Sequence, residues 1–209
     1  MNLPTPIRLY ETRRAPNPRR VNIFLSEKGV DIDRTEIDIM GGEHYAPGHH
    51  DRADSHHVPL LELSDGSYLT ESVAICRYIE ALHPSPNLMG EDAKEAAEIE
   101  MWQRRMEMGL LLNIAFVIRH GVPTMQKLEH VQVPAWSEAC KPRVEKAMRD
   151  LDARLQKSSY VAGDRFTIAD ITPWVGIDFM RVIKQGPPDD CDALNDWLAR
   201  MRSRPSAAA

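Results

Sequence analysis

Residues 56–72 read HHVPLLELSDGSYLTES, and several structural signals fall in this one stretch. Val58-Pro59 stands directly before LLEL; proline has no N–H to give a ladder, so the pair marks a bend at a strand's start. X-Pro is also the bond type at which a cis peptide occurs. LLEL, an Asp65-Gly66 turn and SYL read as a β-hairpin, since Asp-Gly supplies the left-handed residues of a tight turn. Thr70-Glu71-Ser72 then opens a helix in which Ala74, Ile75, Tyr78, Ile79 and Leu82 share one apolar face.

Upstream of the hairpin, residues 7–10 (IRLY) are strand-like. Residues 18–28 space Val21, Phe24 and Leu25 as a helix that Gly29 closes. Residues 32–39 alternate around Ile37 and Ile39 as a second strand, and the polar run 40–57 reads as irregular. Downstream, the prolines of HPSPN (83–87) mark a linker. Beyond it, helical spacing runs from Asp92 to about Arg119, through 136–156 with Val144, Met148, Leu151 and Leu155, and over 168–185 and 190–204. The pattern predicts an α/β domain over 1–83, a linker over 84–91 and an all-helical domain over 92–209. Thr167 with Asp170 has the spacing of a capping box at a helix start.

Twenty-six basic against 31 acidic residues give a net charge of −5, which argues against nucleic acid as the main partner. No run of about 18 apolar residues suggests a membrane span. The N-terminus lacks the charged, apolar and small-residue order of a leader, so a soluble cytoplasmic protein is expected. The 3 cysteines, Cys76, Cys140 and Cys191, are far apart and argue against a disulfide framework. No metal site is expected.

The chemistry concentrates in two places. A cis bond at Val58-Pro59 turns the Val58 N–H and C=O outward, where they can pair with an extended peptide. Glu71 and Ser72 occupy a helix start whose free N–H groups attract a carboxylate, while Glu71 can accept from an ammonium. Together they suit the α-amino-acid end of a small peptide; a plain capping pair is the alternative reading. The second place is APNPRR, 15–20, where Asn17 between two prolines reads as a helix N-cap with Pro18 at the first position.

Three segments, the APNPRRVNIFLSEKG loop and helix, VPLLELSDGSYLTESVAICRYIE and YVAGDRFTIADITPW, resemble the cytosolic glutathione transferases across nearly the whole chain and in the family's order. The resemblance implies a thioredoxin-like N-terminal domain with a mixed four-stranded sheet, followed by a helical domain, and glutathione as cosubstrate. It implies that Val58 pairs with the cysteinyl backbone of glutathione, that Pro59 is cis and that Glu71 and Ser72 hold the γ-glutamyl group. Thr167 and Asp170 become folding determinants. His44, Arg52, His56 and His57 are candidates for the glycine carboxylate. The chain departs from the family at Ala53-Asp54, where Asn-Pro is frequent.

Catalysis in this family needs glutathione as thiolate, against a free thiol pKa near 8.5, and many members use a Tyr, Ser or Cys. Here the expected place holds Ala15, and Tyr10 at the strand's end precedes it. Asn17 and a helix N-terminus offer donors that stabilise a sulfur anion without taking its proton. A fungal type without Tyr, Ser or Cys is similar in its C-terminal half and uses a His and a Ser to polarise a water; His120 matches the histidine, whereas Ala115 stands for the serine. Bacterial disulfide reductases of the superfamily share the Pro-Asn of the loop. The electrophile pocket is expected among 10–14, 106–120 and 174–179, with Met106, Met108, Leu110, Phe116, Trp174 and Phe179, although each of these also reads as helix core.

The implied activity is conjugation of glutathione to small hydrophobic electrophiles by a homodimer. Glutathione-dependent disulfide or peroxide reduction and a non-catalytic binding module are the competing readings.

Overall fold

Strand β1 (Pro6–Glu11) pairs on one side with β2 (Asp33–Glu36) in parallel and on the other with β3 (Leu60–Leu63) in antiparallel. β4 (Tyr68–Leu69) closes the edge, giving the order β2-β1-β3-β4. The structure is a computed structural model that describes residues 3–53 and 56–209; Asp54 lies outside them. The chain divides into two units, one running to Pro86 and taking in Ala208–Ala209, the other Asn87–Ala207. The division falls within the 84–91 segment.

In the first unit, helix α1 (Pro16–Lys28) connects β1 to β2, and α3 (Ser72–Leu82) follows β4 and packs beside α1. This is the mixed sheet of a thioredoxin-like domain. Alternation along the strands puts Tyr10 and Leu60 on one face, in a cluster with Ile37, Ile39, Val58 and Tyr68. Leu9 and Leu61, both fully buried, point to the other face. The hairpin turn forms as its sequence predicts: Gly66 takes a φ of 83° and the Ser67 N–H donates to Asp65 Oδ1 at 2.9 Å.

Two readings change here. β2 ends at Glu36, because its partner β1 ends at Glu11; the Ile37 N–H still donates to the Glu11 carbonyl at 2.7 Å and Ile37 stays buried, while Ile39 lies past the ladder. The 40–57 run, read as irregular, contains a 3₁₀ turn (Glu43–Tyr45) and helix α2 (Pro47–Ala53). PGHHDRA carries no apolar periodicity, so nothing in the local pattern announces that helix.

The second unit is helical. α4 (Ala93–Met106) is capped by Asp92, whose carboxylate accepts from the Lys94 and Glu95 N–H groups at 2.8 and 2.9 Å. It runs through a π turn (Glu107–Leu111) into α5 (Leu112–Gly121), so the expected single helix is one rod with a bulge. Asn113 Nδ2 donates to the Met108 and Gly109 carbonyls that the bulge releases, at 3.0 and 2.9 Å. α6 (Pro134–Leu155), α7 (Ile168–Phe179) and α8 (Asp192–Arg202) complete the unit. α7 stops short of 185: a 3₁₀ turn over Met180–Ile183 and a left-handed Lys184 end it.

The capping box at Thr167 and Asp170 forms, and Asp170 sits at zero exposure. Its carboxylate accepts from the N–H groups of Val161 and Thr167, each at 2.9 Å, and from Trp197 Nε1 at 3.1 Å. Burial pushes its pKa up to about 6 in spite of those bonds. Both residues are therefore scaffold groups of the α7–α8 core. No helix of the described residues is long and apolar enough to cross a membrane.

Candidate functional site

Sheet topology gathers the candidates of the first unit at one end. β1 runs into α1 at that end; β3, antiparallel to β1 with Tyr10 opposite Leu60, begins there; β4, with Leu69 opposite Leu61, finishes there. The start of α1, Val58-Pro59 and Glu71-Ser72 thus share one edge of the sheet although they are spread over more than 50 residues of sequence. The Val58-Pro59 bond is cis, and the ladder starts only at Leu60. Val58 is half-buried, with its backbone N–H and C=O outside the ladder.

Glu71 takes a φ of 64° and a ψ of 112°, a region that costs a non-glycine residue about 1–3 kcal/mol. Its carbonyl accepts the first helical bond from Ile75 at 2.9 Å, while its exposed side chain caps nothing. Ser72, 5% exposed, is the first residue of α3. Its Oγ accepts from Nη1 of Arg20 at 2.8 Å.

Asn17 is not the N-cap. Ala15 is, at φ −73° and ψ 146°, and α1 starts at Pro16, so Asn17 is an exposed residue of the first turn. The reason is that proline suits the first helical position, and here Pro16 claims it before Pro18. The change reduces the donors of this helix start: Pro16 and Pro18 have no N–H, and the Ala15 N–H is used by the Thr12 carbonyl at 2.9 Å. Among the described residues, Asn17 contributes the remaining backbone donor of that turn, together with its side-chain amide.

The arginines around the loop have separate fates. Arg13 donates its N–H to the Glu36 carboxylate at 3.3 Å and its guanidinium to the Ala208 carbonyl at 3.2 Å, and Arg14 is exposed. Arg20 is fully buried. Sequence reading missed its link to Ser72, yet a signal existed: a charge at position 20 sits one helical turn before apolar Phe24, on a face that must be buried.

Tyr10 does not aim its hydroxyl at an open site. It donates to Glu62 Oε2 at 2.8 Å, its ring lies under the Arg52 guanidinium at 5.1 Å, and burial followed by Glu62 raises its pKa. Arg52 is thereby stacked on Tyr10. Of the histidines, His44 is 4% exposed, with its ring 3.9 Å from that of Tyr45. His56 Nδ1 lies 3.1 Å from the His44 carbonyl, which ties one candidate to another. His57, beside Val58, has an exposed side chain, and its carbonyl is held by Nε2 of buried His49 at 3.0 Å. His49 is a bracing residue that sequence reading did not pick out.

In the helical unit, His120 lies near the end of α5, where its Nδ1 accepts from the Val133 N–H at 3.2 Å. The proton of the neutral ring is then on Nε2. Of the residues named for the electrophile pocket, Met106, Leu110 and Trp174 are core residues, between 0% and 5% exposed, which is the helix-core reading that the sequence also offered. Met108 faces outward. Among the described residues, a cavity of about 550 Å³ in this unit is lined by Ile114, Val117, Val144, Met148, Met180 and Ile183 among others. The cysteines are buried, and burial pushes the Cys76 thiol up to about 12, which makes it inert. Among the described residues no group of His, Cys, Asp or Glu is arranged to hold a metal ion.

A family model for the glutathione S-transferase N-terminal domain matches residues 5–81, and one for the C-terminal domain matches residues 121–205. The chain is 35% identical over 201 residues to glutathione S-transferase 2 of Saccharomyces cerevisiae, covering 95% of this chain and 86% of that protein. The crystal structure of yeast Gtt2 superposes with a TM-score of 0.92 at 35% identity, covering 97% of this chain and 99% of that one. A glutathione S-transferase domain-containing protein of Marinobacter aquaeolei gives the same TM-score and identity over 96% of this chain and 99% of its own.

Proposed function

We propose that this chain, which belongs to the glutathione S-transferase family, binds glutathione at the sheet edge of its thioredoxin-like unit and conjugates it to small hydrophobic electrophiles. The observation that carries the reading is the pair at the start of α3: a left-handed Glu71 followed by a Ser72 whose hydroxyl a buried arginine holds. A capping pair would need neither, since Glu71 caps no backbone group.

In this reading the Val58 backbone pairs with the cysteinyl residue, Ser72 and the helix start take the γ-glutamyl carboxylate, and Glu71 takes the ammonium. Arg52 where it stacks on Tyr10, His56 and His57 are the candidates for the glycine carboxylate that the fold leaves exposed, whereas His44 is buried. The thiolate lies against the start of α1, where the Asn17 N–H and amide stabilise the sulfur anion. The thiol proton leaves to water. The sulfur lone pair then forms a C–S bond, and the leaving group departs with its electron pair, or an activated double bond takes up a proton. His120 is a positioning candidate for a water in that step. The same reading carries a cytoplasmic homodimer.

Incubation with glutathione and an activated aryl chloride should yield the thioether and chloride at a rate above the uncatalysed one. Turnover of a small disulfide or a peroxide without thioether formation would replace conjugation by glutathione-dependent reduction. Absence of glutathione binding by calorimetry would make the chain a non-catalytic binding module.

A further inference from the structure

The contact between α1 and α3 carries a polar seam. On α1, Arg20, Phe24 and Lys28 fall at i, i+4 and i+8; on α3, Ser72, Cys76 and Glu80 do the same, so each set is one stripe of its helix. Arg20 Nη1 donates to Ser72 Oγ at 2.8 Å, and Lys28 Nζ pairs with Glu80 at 2.6 Å. The two contacts are 8 residues apart on both helices, which sets α1 and α3 running in the same direction in a defined register. Lys28 also donates to the Pro86 carbonyl. Burial dominates at Cys76, and the Arg20 charge opposes it there, one turn beyond Ser72.

A serine hydroxyl has one proton to give and lone pairs to accept with, whereas a guanidinium only donates. The bond from Arg20 therefore occupies a lone pair of Ser72, stops the hydroxyl from acting as a free rotor and leaves its proton for a different acceptor. A cationic donor also polarises that O–H, so the bond it makes to an anion is stronger. Both partners are buried: Arg20 is at 0% and Ser72 at 5% exposure. A surface arginine would be screened and would lose this effect.

We infer that Arg20 is a positioning residue which, through the Ser72 hydroxyl, sets the recognition of the γ-glutamyl α-carboxylate of glutathione. The inference rests on the glutathione reading above. It assigns to α1 a role in binding affinity separate from that of Asn17, whose place is beside the sulfur.

The test compares two ligands on two proteins. Glutathione and its analogue lacking the α-carboxylate, γ-aminobutyryl-cysteinyl-glycine, are titrated calorimetrically into the native chain and into Arg20→Lys, which keeps the charge but gives up the planar fork. Glutathione affinity should fall about tenfold in Arg20→Lys, the scale of one hydrogen bond to a charged group, while the analogue's affinity stays the same. Equal losses for both ligands, or no loss for either, would overturn the inference, since a merely structural role does not tell the ligands apart. In a Ser72→Ala background, Arg20→Lys should produce no further loss; a full additional tenfold loss there would show that Arg20 does not act through Ser72. If Ser72→Ala by itself leaves glutathione affinity unchanged, the parent reading fails, and this inference with it. Should Arg20→Lys not fold, a glutathione-bound structure of the native chain decides: Ser72 Oγ must lie within hydrogen-bond distance of both Arg20 and the carboxylate.

Discussion

Tyr10 gives its hydroxyl proton to Glu62 across the β1–β3 ladder, at 2.8 Å. That bond removes the Tyr10 hydroxyl from the pool of thiol activators. A phenol whose pKa burial and Glu62 both raise is neither an available base nor a donor aimed at sulfur. Tyr10→Phe should therefore leave the turnover number within about twofold and cost stability by about 0.5–1.5 kcal/mol, the net worth of one hydrogen bond. Steady-state conjugation rates and urea melts check both halves; a loss of turnover of about a hundredfold or more would return Tyr10 to the mechanism.

Asn17 bears the thiolate in this reading. Asn17→Ala keeps the backbone N–H and removes the amide, so the bound thiol should lose part of its stabilisation as an anion. Its apparent pKa should rise by about one unit, equivalent to about 1.4 kcal/mol. Thiolate absorbance of the glutathione complex against pH reads the shift directly, and an unmoved curve with α1 intact would leave Asn17 as a plain first-turn residue.

Glu71 sets stability against binding. Glu71→Gly relieves a left-handed conformation at φ 64°, and the melting temperature should rise by the equivalent of about 1 kcal/mol. The same change deletes the partner proposed for the glutathione ammonium, so the KM for glutathione should rise. A variant that is more stable and binds glutathione as well as the native chain would separate the strain from the function.

Ser72→Ala removes a donor to an anion, and the KM for glutathione should increase by about tenfold or more, with kcat at saturating glutathione changed little. Equal falls in kcat and kcat/KM would mean that the hydroxyl acts in the transition state instead.

Asp170 gives the helical unit a predictable pH response. Its pKa rises from 3.8 to about 6 on folding, so the folded state binds the proton more tightly than the unfolded one. The stability this group contributes is fully present below about 3.8 and is lost as pH rises through about 6. Asp170→Asn removes the titration and turns an amide towards the Thr167 N–H, which costs about 1–3 kcal/mol. The stability gap between native chain and variant should be wider at about pH 4 than at about pH 7. Urea melts at the two pH values measure it, and a gap that widens with pH would contradict the assignment.

Much of the scaffold was legible because its signals are local. Asp65-Gly66 dictates a turn whatever surrounds it, Thr167 and Asp170 lie within one helical turn, and Gly29 ends α1 in a left-handed conformation. Other features were not legible, each for a stated reason. α2 has no apolar stripe; the end of β2 depends on where β1 stops; the π turn at 107–111 is satisfied by Asn113, two residues beyond it. The first turn of α1 contained two prolines of which only one could take the first position, and sequence favoured the wrong one.

By itself, the sequence determined the order of the strands and of the helices that carry an apolar stripe, the cis-capable Val58-Pro59 bend and the Glu71-Ser72 helix start. Each is a choice made by a residue and its immediate neighbours, through turn chemistry, periodicity or capping. Only the tertiary structure decided which polar groups stay available. It spent the Tyr10 hydroxyl on Glu62, tied His56 to the His44 carbonyl and set the Arg20 guanidinium on Ser72, 52 residues away. Burial enforces such pairings because a polar group taken out of water must find its partner wherever the fold brings one, and distance along the chain plays no part in that choice.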